Sequence, residues 1–111
     1  MDYIKIGGAE YPATISGKIE DKEWGGRPSK TIKLSMRFAD ADALFRDGVA
    51  WSIVSETEDE EGQTVREEYD NSDYSVAGQI TDFRDGTLAV KMGKPLEQGN
   101  EILNILLGME G

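Results

Sequence analysis

The sequence predicts an α+β domain, mostly antiparallel β, with about six to seven strands in a bent sheet or small barrel, a short helix and a C-terminal helix. Three observations predict it. Apolar and polar residues alternate with period two in run after run. Short breaks rich in glycine, asparagine and aspartate separate these runs. The spacing turns helical in only two places. With 111 residues the chain, 1–111, is a single domain.

Taken in order, residues 3–6 form a short alternating strand that stops at Gly7 and Gly8. Residues 10–21 form a long amphipathic strand, with Tyr11, Ala13, Ile15 and Ile19 in one phase and Gly17 at a bend or bulge. Pro12 has no N–H to donate, which predicts a sheet-edge position at the start of this strand. Residues 22–30 are a loop in which Gly25 and Gly26 form the turning pair. Residues 31–38 alternate most cleanly, with Ile32, Leu34, Met36 and Phe38 on one face, and should pair antiparallel with the strand before the loop.

At Asp40 the period lengthens. Ala41, Leu44 and Phe45 have helical spacing, Asp40 is the expected N-cap, and Gly48 is the expected left-handed terminator. A helix of roughly two turns is unstable alone, so Leu44 and Phe45 must pack on the sheet. Residues 49–57 and 64–69 read as a hairpin with an acidic tip, Trp51 pointing to the core with Val49 and Ile53. Residues 74–94 read as a second hairpin, turned at Phe83-Arg84-Asp85-Gly86 with Gly86 at positive φ, and are expected to be central in the sheet. Residues 101–107 read as the C-terminal helix; five of the six residues 102–107 are apolar, more than the single stripe a helix buries on a sheet.

Composition narrows the function classes. The chain has no cysteine and no histidine, so a disulfide, a thiolate nucleophile, an imidazole base and the usual zinc ligands have no residues to build them. Its 22 acidic and 12 basic residues give a net charge of −10, which repels phosphate backbones and predicts no nucleic-acid partner. No apolar run reaches the roughly 18 residues of a membrane span. The N-terminus lacks the basic and apolar pattern of a signal peptide, which predicts residence where the chain is made.

Candidate sites are few. The acidic tip, residues 56–61, is read as a solvated hairpin end whose charges discourage edge pairing. Asp70-Asn71-Ser72-Asp73 opens like a calcium loop, but Tyr74, Ser75 and Thr81 stand where an acid or amide, a glycine and a glutamate are required. Turn chemistry accounts for these residues instead. Lys94, Tyr74 and Asp82 offer acid–base groups without an activated nucleophile. Trp24, in a polar loop beside Arg27, either covers the end of the sheet or anchors a partner. Catalytic residues, metal and cofactors are not expected.

Five stretches, YIKIGGAEYPA, EWGGRPSK, GVAWSIV, YDNSDYSVAG and ITDFRDGTLAVKMGKP, together resemble a family of small uncharacterised proteins encoded in prophages of Gram-positive gut bacteria, among genes for phage structural or tail components. The resemblance covers most of the chain except the acidic insert at residues 58–62. It implies a phage-derived setting, in the cytoplasm of the bacterial host or in the virion, and a structural or assembly role. It carries over no catalytic residue. The expected mechanism is burial of apolar surface against itself or other phage structural proteins, closing a homo-oligomer, with Ile105, Leu106 and Leu107 as contacts and Trp24 and Arg27 assisting. The alternative is an acidic host-takeover protein that mimics DNA and occupies a basic host protein; its acids, however, look scattered rather than spaced like phosphates. A carbohydrate-binding module built on Trp24 would have only one aromatic to grip with.

Overall fold

The computed structural model describes residues 1–95. Seven strands, β1 (Asp2–Ile6), β2 (Ala9–Asp21), β3 (Arg27–Ser35), β4 (Trp51–Glu58), β5 (Thr64–Asp70), β6 (Val76–Asp82) and β7 (Thr87–Gly93), form one antiparallel sheet in the order β5-β4-β1-β2-β3-β7-β6. One short helix, α1 (Phe38–Leu44), lies between β3 and β4. The sheet is bent and does not close into a barrel. The expected C-terminal helix falls outside the described residues.

The bend has a specific origin in β2. Its residues 9–12 pair with β1, from Ala9 opposite Ile6 to Pro12 opposite Tyr3. From Ala13 opposite Leu34 onward the same strand pairs with β3. One strand therefore changes partners after its fourth residue, and the two halves of the sheet meet only along it, the arrangement that makes a corner in orthogonal packings. Pro12 stands at the change. The strand is internal in the sheet order, but its residues 9–12 have a ladder on one side only, so the start of the strand is a local edge, as expected, and a missing N–H costs little there. The bulge falls between Lys18 and Asp21 rather than at Gly17, which keeps its register with Lys30.

The bend wraps one face of both halves around a single core. Ile4, Ile6, Ile32, Leu34, Ala41, Phe45, Trp51, Leu88, Val90 and Met92 are buried in it. Burying Phe45 and Ala41 is what holds so short a helix, as its spacing required. Its N-cap is Arg37, without a side-chain cap, and Asp40 instead accepts a hydrogen bond from Arg37 Nε at 3.1 Å. Gly48 is left-handed (φ +80°) but lies beyond the C-cap at Phe45. Phe38, expected on a strand, begins this helix and is exposed, because β3 runs from Arg27 to Ser35 and ends earlier than its alternation suggested.

The β6–β7 hairpin is not central; β6 is an end strand, and β7 pairs with β3. Its turn is closed by Gly86 at φ +91°, as expected, and Arg84 also adopts a left-handed φ of 57°. Asp82 Oδ1 accepts from Arg84 N at 2.9 Å and holds that conformation. A left-handed non-glycine residue costs roughly 1–2 kcal/mol, more than the 0.5–1 kcal/mol of entropy that glycine adds. Arg84→Gly should therefore stabilise the fold by about 0.5–1 kcal/mol, read as a higher midpoint in urea; an unchanged or lower midpoint would show the strain is absent.

The two ends of the sheet are joined by a short connection, residues 71–75. Asn71 N donates to Trp51 O at 2.8 Å, and Trp51 Nε1 donates to Tyr74 O at 3.0 Å. Asp70 Oδ1 accepts from both Ser72 N and Ser72 Oγ. These are turn contacts, as the sequence predicted, and they tie the end of β5 to the loop that leads into β6.

Candidate functional site

Trp24 and Arg27 are brought together. Lys22–Trp24 form a single 3-10 turn that Gly25 and Gly26, both left-handed, reverse into β3. The Arg27 guanidinium stacks 4.8 Å from the indole centroid, and Arg27 Nε donates to Trp24 O at 3.1 Å. The indole lies flat on two glycines: a Cβ on Gly78 would come within 2.6 Å of it, and one on Gly93 within 2.8 Å. The half-buried Trp24 thus seals the outer face of β6 and β7, the covering role the loop position allowed. Ile105, Leu106 and Leu107 lie outside the described residues.

Beneath that loop sits a buried ion pair that period-two reading missed. Asp21 is fully buried and meets Lys91 Nζ at 2.7 Å. Ser29 Oγ donates to Asp21 Oδ2 at 2.9 Å, and Glu23 N donates to its other oxygen at 3.2 Å. The Lys91 hydrogen bond holds the Asp21 carboxyl below its ordinary value against the opposing effect of burial, with Ser29 assisting. These partners satisfy the carboxylate, and no buried side-chain nitrogen or oxygen among the described residues lacks one. No local pattern in the sequence marks Asp21 as buried, because its partner Lys91 stands on β7.

Tyr74 and Lys94 also meet, with Lys30, but Asp82 is remote from them in its turn. Lys30 and Lys94 lie 4.6 and 5.1 Å from the Tyr74 ring. Lys30 Nζ donates to the buried Asn71 Oδ1, and burial pushes the Lys30 ammonium below its ordinary pKa. Lys94 is held above its own by the hydrogen bond to Asp73, at 3.1 Å. Each group already has its partner, so the cluster fastens the 71–75 connection across the core. Among the described residues no group of acids is placed to hold a metal ion, and no helix is long and apolar enough to cross a membrane.

The β4–β5 hairpin is different in kind. It carries Glu56, Glu58, Asp59, Glu60, Glu61, Glu67, Glu68 and Asp70 against one base, Arg66, so most of the chain's net charge of −10 sits on two strands and a tip. The acids are gathered here rather than scattered. At the tip, Asp59 Oδ1 accepts from Glu61 N and Gln63 N, and Gly62 turns at φ +78°. On the outer face Lys5 meets Glu68 at 3.5 Å, and Arg66 bonds to Glu10 and reaches Glu56 at 3.6 Å. Val54, opposite Tyr3 and Glu68, is fully buried on that same outward face. The stems of these long side chains cover it. Its phase along β4 is opposite to that of Trp51 and Ile53.

On its other face β5 continues the core beyond Ile53. Tyr69 stands opposite Ile53, and Val65 opposite Thr57; they are 51% and 39% exposed. Glu67 lies between them and accepts a hydrogen bond from the Tyr69 hydroxyl, which raises the tyrosine pKa. All seven residues of β5 are exposed, and β4 is the strand's one ladder partner among the described residues. The opposite end strand is guarded: Asp47 Oδ1 accepts from Ala77 N at 2.8 Å, Gly48 N donates to Ser75 O at 2.7 Å, and α1 packs against β6. Among the described residues the outer side of β5 therefore presents unpaired backbone groups.

Compared with family models, curated proteins and solved structures, the chain matches none.

Proposed function

We propose that this protein is a non-catalytic, phage-derived structural or assembly protein that works by self-association or by docking onto other virion proteins. The phage setting rests on the five stretches that resemble the prophage family. The mode of action rests on one observation: a β5 edge with no outer ladder partner among the described residues continues the apolar core face past its last buried residue, with Val65 and Tyr69 half-exposed. Strand addition there would supply backbone hydrogen bonds and bury both side chains. Trp24 and Arg27 are secondary contacts in this reading, since their facing surfaces are already packed on Gly78 and Gly93.

A second reading, occupation of a basic host protein by an acidic surface, gains from the gathering of eight acids on the β4–β5 hairpin. Sedimentation velocity across protein and salt concentration separates the two. A defined oligomer that persists in high salt supports the assembly reading. A monomer that captures basic proteins only in low salt overturns it in favour of the second.

A further inference from the structure

We infer that two copies of this chain pair antiparallel through β5 about a two-fold axis at Glu67, joining their sheets into one. The inference rests on the self-association reading above and specifies its geometry.

The hydrogen-bond phase of β5 restricts the choice. Asp59 N donates to Gln63 O and Asn71 N to Trp51 O, one beyond each end of the β4–β5 ladder. Odd-numbered residues of β5 therefore bond toward β4. Thr64, Arg66, Glu68 and Asp70 direct their N–H and C=O groups outward. A symmetric antiparallel pair must join outward residues to outward residues, so the axis passes through one residue of the strand.

Centred on Glu67, the pairing sets Arg66 opposite Glu68 of the second copy, Thr64 opposite Asp70 and Val65 opposite Tyr69. The outward residues then form about eight backbone hydrogen bonds. Each copy contributes one base to an acid on the outer face, beside the existing bonds of Arg66 to Glu10 and Glu56. On the core face both exposed apolar side chains find each other. Centred on Arg66 or Glu68 instead, Val65 or Tyr69 faces Glu67 and the apolar pair is lost; a like-charged pair at the axis is common to all three registers and does not choose among them.

Two electrostatic objections are weighed by distance. The acidic tips lie beyond opposite ends of the paired strands. Six residues of strand already separate them by about 20 Å, well beyond a Debye length of about 8 Å at physiological salt. The repulsion at the axis itself is Glu67 against itself, a single pair. Glu67→Gln removes it and should tighten the dimer about two- to five-fold.

The chain has no cysteine, so a single introduced thiol is unique. At the axis the two copies of residue 67 form a non-hydrogen-bonded pair with Cα atoms about 4.5 Å apart, within disulfide reach. Glu67→Cys should cross-link under mild oxidation. Val65→Cys should not, because its two copies sit about 13 Å apart along the strands. Glu68→Pro removes one outward donor and leaves the β4 ladder its bonds, so it should yield a folded monomer by circular dichroism and sedimentation. A concentration-dependent oligomer in which Glu67→Cys links no faster than Val65→Cys overturns this register and leaves self-association standing. A monomer at every concentration, or one that takes up a basic strand peptide at β5 instead, overturns both.

Discussion

Trp24→Ala should be among the most damaging single changes in the described chain, lowering stability by about 3 kcal/mol. The indole lies on Gly78 and Gly93, with Arg27 stacked on it, and joins the β2–β3 loop to the outer face of β6 and β7. Removing it uncovers that face and leaves a void that a tight loop cannot fill. The reciprocal change is also informative. Gly78→Ala places a methyl 2.6 Å from the ring and Gly93→Ala one 2.8 Å away, so each should cost about 1–3 kcal/mol by overpacking. Combined with Trp24→Ala, the Gly78 methyl loses the indole it strikes, and the Gly93 methyl is left only with Arg27 Cδ at 2.8 Å, a flexible stem that can move aside, so the double variants should be less destabilised than the sum of their singles. Urea denaturation of the four proteins of one cycle measures the coupling. Strict additivity would mean that the indole does not rest on these glycines in solution.

The second large effect concerns Asp21 and Lys91. Lys91→Met strands a fully buried carboxylate with only Ser29 and one backbone N–H to bond it. The expected result is a large drop in the thermal midpoint near neutral pH, mostly restored by Asp21→Asn in the same chain, because removing both charges also removes the desolvation penalty. The pH dependence has a definite sign. Asp21 titrates below its unfolded value of 3.8 in the folded protein. Its contribution is complete above that value and is lost as pH falls through the lowered folded pKa. In Lys91→Met the main cause of the lowering is gone while burial remains, so the carboxyl should titrate higher and acid unfolding should begin at higher pH. Carboxyl chemical shifts followed against pH give the titration directly. An Asp21 curve unmoved by Lys91→Met would refute the pairing.

Much of the architecture was legible in the chain. Alternation located the seven strands, glycine and aspartate located the turns, and helical spacing located Leu44 and Phe45. What alternation could not reveal was which face of a strand becomes buried by long polar neighbours. Val54 and Asp21 are both fully buried although their residue types or phases pointed elsewhere. Val54 depends on stems from β1 and β5, and Asp21 on Lys91 from β7. Those partners stand on other strands, far along the chain, and no local pattern encodes them.

The candidate site divides in the same way. Composition by itself determined that histidine and cysteine chemistry have no residues, and it placed the acids of residues 56–70 along a predicted hairpin. Strand order was decided only in three dimensions. Two hairpins have nearly equivalent patterns, yet one ends the sheet with its start guarded by Asp47, Gly48 and α1, while the other ends it with a ladder that has no outer partner among the described residues. The deciding element is β2, which changes partners beyond Pro12 and bends the sheet around one core. Alternation tells each strand which side to bury, but a ladder has two edges of the same chemistry, and only tertiary packing decides which edge is left without a partner among the described residues.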